Sequence, residues 1–335
     1  MNLKPVKTFI FHITIVACVL AAVFLVLSGC FPAPNPTSGP DQDSFPIYIS
    51  KAEPSTDDQV IIHPRDPAPG DFLVIEASPV PAESDVEIEL EFPGVVSDYY
   101  QVGNLLYAVI GVCYDSEPGS FEITIRAKNP GTINKTLKAT LVLAEKEFQT
   151  ARFSMPARVT EGWTAERLAE DREKVKEARE TSEPYPLWLN RFVLPLEGRV
   201  TSEYGAIRII NNNPPRRHAG IDIAEETGTP IVAPNRGIVR LADHLLSGGK
   251  TVIIDHGIGL SSTYMHLDSM AVAEGQTVER GEKIGTLGMT GYATGPHLHW
   301  EVNLGSSPVN PEQLMDNDLL WIPPAYVEKI FSQDR

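Results

Sequence analysis

The sequence predicts a mainly β protein: an N-terminal immunoglobulin-like sandwich, a short linking helix and a C-terminal antiparallel β-sheet domain. Three observations lead there. Apolar and polar residues alternate with period two in many short runs, as half-buried strands require. Pro-Gly pairs recur between those runs and mark turns. Only one stretch, from Thr160 to Glu180, spaces its charges at helical intervals. The 335 residues leave room for two domains and a leader, at roughly 150 residues per domain. A composition 42% hydrophobic and 21% charged is that of a chain with packed cores. The net charge of −16 would repel a phosphate backbone, which argues against a sequence-independent nucleic-acid binder. The 3 cysteines, Cys18, Cys30 and Cys113, cannot build a disulfide framework or a multi-cysteine zinc site. Cys113 reads as a small buried apolar residue.

The first 29 residues read as a secretory signal. Lys4 and Lys7 give a basic start, Phe9 to Leu27 is almost wholly apolar, and Leu27-Ser28-Gly29-Cys30 closes the run. An uncleaved transmembrane helix is the alternative, since the run approaches the roughly 20 residues that span a bilayer. Leu-Ser-Gly-Cys resembles the lipobox of bacterial lipoproteins. That resemblance implies cleavage before Cys30, lipidation of its sulfur and acylation of the new amino terminus, enough chains to hold a protein to a membrane outside the cytoplasm. Residues 30–44, with Pro32, Pro34, Pro36 and Pro40, read as an extended tether.

Residues 45–150 carry the first β pattern. Val86 to Phe92 alternates apolar and acidic residues, and Phe121 to Ile125 alternates likewise. Phe72 to Ala77, Leu105 to Val112 and Thr136 to Leu143 are further strand candidates, with turns at Pro69-Gly70, Pro93-Gly94, Pro118-Gly119 and Pro130-Gly131. Short strands at this spacing suggest the immunoglobulin-like sandwich, a spacer or a wall- or partner-binding module. Residues 151–190 form the linker. Thr160 is the candidate N-cap, Leu168 and Val175 share a face, and Pro184 and Pro186 end a mostly solvated helix.

The chemistry lies in residues 191–315, ahead of a C-terminal tail at 316–335. In Pro296-His297-Leu298-His299-Trp300-Glu301-Val302 the apolar residues alternate with two histidines and a carboxylate. On a strand, His297, His299 and Glu301 share one face while Leu298 and Trp300 pack the other way. Two imidazoles on one face suit a metal or acid-base work. In His218-Ala219-Gly220-Ile221-Asp222-Ile223, Ile221 and Ile223 read as core positions, which turns Asp222 outward. Gly220 would let the chain bend so that His218 meets it. Alternation in Ser262 to Leu267 places Tyr264 and His266 on one face.

Together, His218-x3-Asp222, Tyr264-x-His266-Leu267 and Gly295-x-His297-x-His299 resemble the LytM/lysostaphin-type peptidases of the M23 family, over about Phe192 to Pro311. Gly228 to Pro234, Gly237, Gly275 to Gly285 and Gly288 resemble the turns and strands of that family's β-sheet core. The resemblance implies one zinc ion held by His218, Asp222 and His299. It makes His266 and His297 catalytic groups flanking the zinc-bound water, with the division of labour between them open. It implies a zinc endopeptidase that hydrolyses peptidoglycan stem peptides or cross-bridges, with no nucleic-acid partner. The alternatives are a non-catalytic scaffold that activates another wall hydrolase, and an exported peptidase with a non-wall target. Glu301 is read either as orienting a ligand or as a plain solvent or ion-pair contact. Tyr264 reads as structural. His63, His244 and His256 read as ordinary surface or turn histidines. Asn211 to Arg217 reads as a polar rim of the substrate groove, and Gly205 to Arg217 is longer than a compact turn.

Overall fold

The computed structural model describes residues 58–128, 134–188 and 191–315. The expected signal, Cys30, the tether and the tail at 316–335 lie outside the described residues. Among the described residues seven strands come first: β1 (Gln59–His63), β2 (Phe72–Ser78), β3 (Asp85–Leu90), β4 (Gly94–Val102), β5 (Leu105–Val112), β6 (Gly119–Lys128) and β7 (Lys135–Leu143). They form two antiparallel sheets, β1-β2-β5-β4 and β3-β6-β7. Between them lies a core of Leu73, Ile75, Leu106 and Ile110 from one sheet and Ile123, Ile125, Leu137 and Leu141 from the other. The strands β3 and β2 show how sequence sets burial. In β3 the acidic positions face solvent, where Glu89 pairs with Arg126 across to β6. In β2 every residue is buried. Its near-continuous apolar run is what a strand covered on both faces requires, since neither face meets water.

The second cover comes from the C-terminal sheet. Phe72, Val74, Tyr100, Tyr107 and Val109 join Leu304, Val309 and Leu314 in one buried cluster. Each large side chain so buried contributes about 1.5–3 kcal/mol. Gln313 strengthens the junction: its amide accepts from Phe72 N at 2.7 Å and donates to Phe72 O at 3.1 Å. Tyr204 donates its hydroxyl to Pro308 O at 2.8 Å. The two β regions thus belong to one compact unit.

Between them, β8 (Thr150–Phe153) pairs in parallel with β10 (Ile207–Ile210), which also pairs with β11 (Arg216–Arg217). The Asn211 amide clamps Met155, accepting from its N at 2.9 Å and donating to its O at 3.0 Å. The helix α1 spans Ala165–Glu180. Thr160, the cap expected from sequence, lies in a preceding 3₁₀ turn, and Thr164 caps instead. Thr164 is extended, and its hydroxyl accepts from the N–H of Arg167, the third helical residue, at 3.2 Å. Val175 and Ala178 pack on Leu241, Leu245 and Ile253. Polar contacts do much of the docking: Asp171 accepts from Leu246 N at 2.6 Å, and Lys174 meets Asp243 at 2.5 Å.

The C-terminal sheet comprises β9 (Arg199–Ser202), β12 (Gly220–Ala224), β13 (Pro230–Val232), β14 (Gly237–Leu245), β15 (Gly249–Asp255), β16 (Leu260–Met270), β17 (Thr277–Val278), β18 (Lys283–Leu287), β19 (Leu298–Leu304) and β20 (Ser307–Val309). Its strand order is β17-β14-β15-β16-β19-β12-β9, with β18 on β16, β13 on β18 and β20 on β19. The central β16-β19-β12 triplet carries the chemistry. Cys113 is half-buried, not fully enclosed as the sequence suggested.

Candidate metal centre

Register builds the site. On β12 and β19 the partners are Gly220 with Glu301, Ile221 with Trp300, Asp222 with His299 and Ile223 with Leu298. Directly paired residues share a sheet face. Asp222, His299 and Glu301 therefore stand on one face, while Ile221, Ile223, Leu298 and Trp300 fill the core on the other. Gly220 has a different reason from the bend expected of it. A Cβ there would lie 2.2 Å from Trp300 O, so only glycine lets β12 approach β19 this closely. His218 sits just before β12, its backbone N–H bonded to Ala206 O at 2.9 Å and its O accepting from Gly205 N at 2.8 Å.

Three electron-rich atoms meet there. His218 Nε2 lies 3.0 Å from Asp222 Oδ1 and 2.9 Å from His299 Nδ1, and His299 Nδ1 lies 2.8 Å from Asp222 Oδ1. The far nitrogens fix the tautomers. His218 Nδ1 donates to Glu203 O at 2.8 Å, so its Nε2 carries a lone pair. His299 Nε2 donates to Glu301 Oε1 at 3.0 Å, so in the neutral ring Nδ1 carries a lone pair too. Without an ion a proton on His299 Nδ1 bridges to Asp222 Oδ1; once it leaves, two imidazole lone pairs and a carboxylate oxygen face one point and would repel one another unless a cation stood among them. Tetrahedral zinc, at about 2.0–2.2 Å from such atoms, would set its ligands roughly 3.3–3.5 Å apart. The observed triangle needs to open by only a few tenths of an ångström. Among the described residues, His218, Asp222 and His299 are the group whose ligand atoms converge closely enough to hold a metal ion. The donor set fits zinc.

The electrostatics agree. Burial holds the His218 imidazole below its ordinary pKa, against the pull of Asp222, so it is neutral and ready to ligate at neutral pH. His299 is also buried, but its bonds to Asp222 and Glu301 override that and lift it to about 9 without an ion. Asp222 stays ionised despite burial, because His218 and His299 hold its carboxyl far below the carboxylate range. Arg208 on β10 also pairs with Asp222 Oδ2, which leaves Oδ1 for the ion. Glu301 is lowered to about 2: burial opposes ionisation, and Arg179 and His299 outweigh it.

His266 and His297 stand beside the triangle with ring centroids 4.7 Å apart. His266 Nδ1 donates to Thr290 O and His297 Nδ1 donates to Gly295 O, both at 2.8 Å, so each presents a free Nε2. His297 Nε2 lies 3.9 Å from Asp222 Oδ1, and the His266 ring is 6.1 Å from that of His299. Burial and the neighbouring His297 push His266 down to about 3, so it stays neutral.

Several placements differ from simple alternation. Tyr264 pairs with Trp300 and so faces the core, where its hydroxyl meets Ser262 Oγ at 2.7 Å. His266 does not share that face. Its backbone is left-handed (φ 65°) beside a register shift in β16, and this turns the ring to the metal face. His256, expected at a surface or turn, is fully buried between Arg236 O at 2.9 Å and Ser262 Oγ at 2.8 Å. His244 is exposed and His63 half-buried. Of the Asn211 to Arg217 loop, Asn211 is taken up by Met155 and Arg217 stacks over Phe148 at 4.5 Å. Sequence reasoning missed Arg208 and Arg179, since a lone arginine carries no signal of the carboxylate it will meet.

Residues 216–311 match the model of peptidase family M23. The chain is 43% identical over 96 residues to the DD-carboxypeptidase/endopeptidase Mpg of Neisseria meningitidis serogroup B, covering 29% of this chain and 22% of that protein. It is 39% identical over 113 residues to the peptidoglycan DD-endopeptidase ShyA of Vibrio cholerae, covering 31% and 26%. In the curated relatives it matches, the similar stretch spans between 22% and 36% of their length. A putative M23 peptidase from Pseudomonas aeruginosa superposes with a TM-score of 0.53 at 26% identity, covering 75% of this chain and 95% of that one. The chain therefore carries an M23 peptidase domain, and that likeness in structure extends beyond the matched stretch.

Proposed function

We propose that this protein is a zinc-dependent endopeptidase that hydrolyses peptide bonds in peptidoglycan, exported and held to a membrane by lipid on Cys30. One observation carries the catalytic part: three potential ligand atoms, 2.8–3.0 Å apart, turned toward one point on the face of the central sheet. The M23 match and relatives named as peptidoglycan DD-endopeptidases support the substrate class. The signal-like N-terminus and Cys30 support the compartment.

His218 Nε2, Asp222 Oδ1 and His299 Nδ1 would hold the zinc. When bound there, the ion would polarise the scissile carbonyl and lower the pKa of water to about 7. The remaining work falls to the chain. His297 Nε2, with Nδ1 committed to Gly295 O, can accept a proton from the attacking water and return it to the leaving amine. His266 Nε2 offers a second neutral imidazole on the same side. Arg208 holds Asp222 Oδ2 and so orients the carboxylate. A scaffold without catalysis would have no need of two spare imidazoles oriented by backbone carbonyls.

The test is digestion of purified sacculi with the zinc-loaded protein, reading released muropeptides by mass spectrometry. Cleavage of stem-peptide or cross-bridge bonds by wild type, lost on chelation and in His297→Ala, is the expected result. Intact sacculi beside cleavage of a casein-type substrate would move the function to a non-wall peptidase.

A further inference from the structure

On the metal face of β19, Glu301 bridges His299 and Arg179. Its Oε1 accepts from His299 Nε2 at 3.0 Å, and its Oε2 is held by Arg179 Nη2. Arg179 comes from the last turn of α1, outside the stretch 216–311 that matches the peptidase family. The same Nη2 reaches Thr263 Oγ1 at 3.3 Å, and Thr263 pairs with Glu301 across β16 and β19. Glu301 is buried at 8% side-chain exposure and Arg179 is largely covered at 14%. Arg179 Nε is also buried and has no partner among the described residues.

A bland account is available: a basic residue in the last turn of a helix complements its dipole. That account explains neither the burial nor the Nε left without a partner. A guanidinium that served only the helix end could stay in water. A buried donor left unmet is destabilising, so the side chain is held where it is by its other contacts. Those contacts converge on the carboxylate that sets the tautomer of His299.

We infer that Arg179 is a positioning residue of the metal centre: through Glu301 it fixes His299 with Nδ1 turned to the ion. This rests on the zinc reading of the site. Helix α1 thereby becomes part of the centre, although it precedes the peptidase domain in the chain. With Arg179 gone, a buried carboxylate loses its main counter-charge, and Glu301 is free to rotate or to recruit water. His299 then loses a fixed tautomer and orientation. Groups that orient a metal-bound histidine typically account for 10–100-fold in metal affinity, so a residue acting through such a group should account for about tenfold.

The experiment is zinc affinity of the full chain, measured by competition with a chromophoric chelator, for wild type, Arg179→Met, Arg179→Lys, Glu301→Gln, the Arg179→Met/Glu301→Gln double variant and His299→Ala. Melting of each metal-free protein is recorded alongside, to separate loss of fold from loss of affinity. The expected pattern is about a tenfold weakening in Arg179→Met and partial recovery in Arg179→Lys. The double variant should be no weaker than Glu301→Gln alone, because Arg179 acts through Glu301. If Arg179→Met binds zinc as wild type does while His299→Ala does not, the role of Arg179 is overturned and the metal centre stands. Additive losses in the double variant would overturn it as well. If wild type binds no zinc, the metallopeptidase reading has failed first.

Discussion

Replacing Gly220 with alanine should dismantle the site without touching any functional side chain. A Cβ at residue 220 would meet Trp300 O at 2.2 Å, Trp300 C at 2.8 Å and Glu301 Cγ at 3.0 Å. A carbon normally stays about 3.3 Å or more from a carbonyl oxygen, so β12 must retreat from β19 by roughly 1 Å. Both obstacles nearest the methyl group are backbone, which cannot rotate aside. The ligand triangle straddles this same junction, with His218 and Asp222 beside Gly220 and His299 beside Trp300. Sides of 2.8–3.0 Å cannot absorb such a shift and still grip one ion. Overpacking of this kind costs about 1–3 kcal/mol, and for a body of this size that lowers Tm by about 2–4 °C per kcal/mol. Zinc affinity should fall by about a hundredfold, the scale on which a misplacement of about 1 Å acts at a site. Chelator competition and thermal melting read both quantities. A Gly220→Ala protein with wild-type zinc affinity and Tm would refute the register that builds the centre.

His297→Ala and His266→Ala should keep the metal, because neither supplies a ligand atom, yet lose about 10²–10⁴ in kcat on a peptide substrate; zinc analysis of each variant separates the two effects. In the metal-free protein His299 is lifted to about 9, so at pH 7 it carries a proton that must leave before Nδ1 can bind zinc. Zinc uptake should therefore release about one proton and tighten up to about tenfold per unit as pH rises from 6 toward 9; calorimetry in two buffers of different ionisation heat would disprove this by showing no release. The shared cluster of Phe72, Tyr107, Leu304 and Val309 should make the first β region and the peptidase region melt together. Two well-separated transitions in calorimetry would contradict that packing.

The sequence disclosed most where side-chain chemistry follows backbone period. The β strands at 72–78, 105–112 and 135–143 overlap the runs that predicted them, because apolar runs, alternation and Pro-Gly turns are local signals. Ile221 and Ile223 declared their inward face, and so placed Asp222. His297, His299 and Glu301 declared theirs in the same way. What stayed hidden is what depends on partners far along the chain. Arg179 meets Glu301 across 122 positions, and Arg208 meets Asp222 across 14, with nothing local to announce either. His256 is buried by residues on other strands. The left-handed turn at His266 breaks alternation with a non-glycine residue, so period two gave the wrong face for Tyr264. The double cover of β2 was present in its unbroken apolar run, but that run does not say which surface covers it.

The most direct test is an anomalous difference map at the zinc edge from crystals of the zinc-loaded protein. The account predicts one peak, about 2.0–2.2 Å from His218 Nε2, Asp222 Oδ1 and His299 Nδ1, with His266 and His297 nearby but not bonded to it. A peak elsewhere, or none with the three side chains still bonded only to each other, would contradict it.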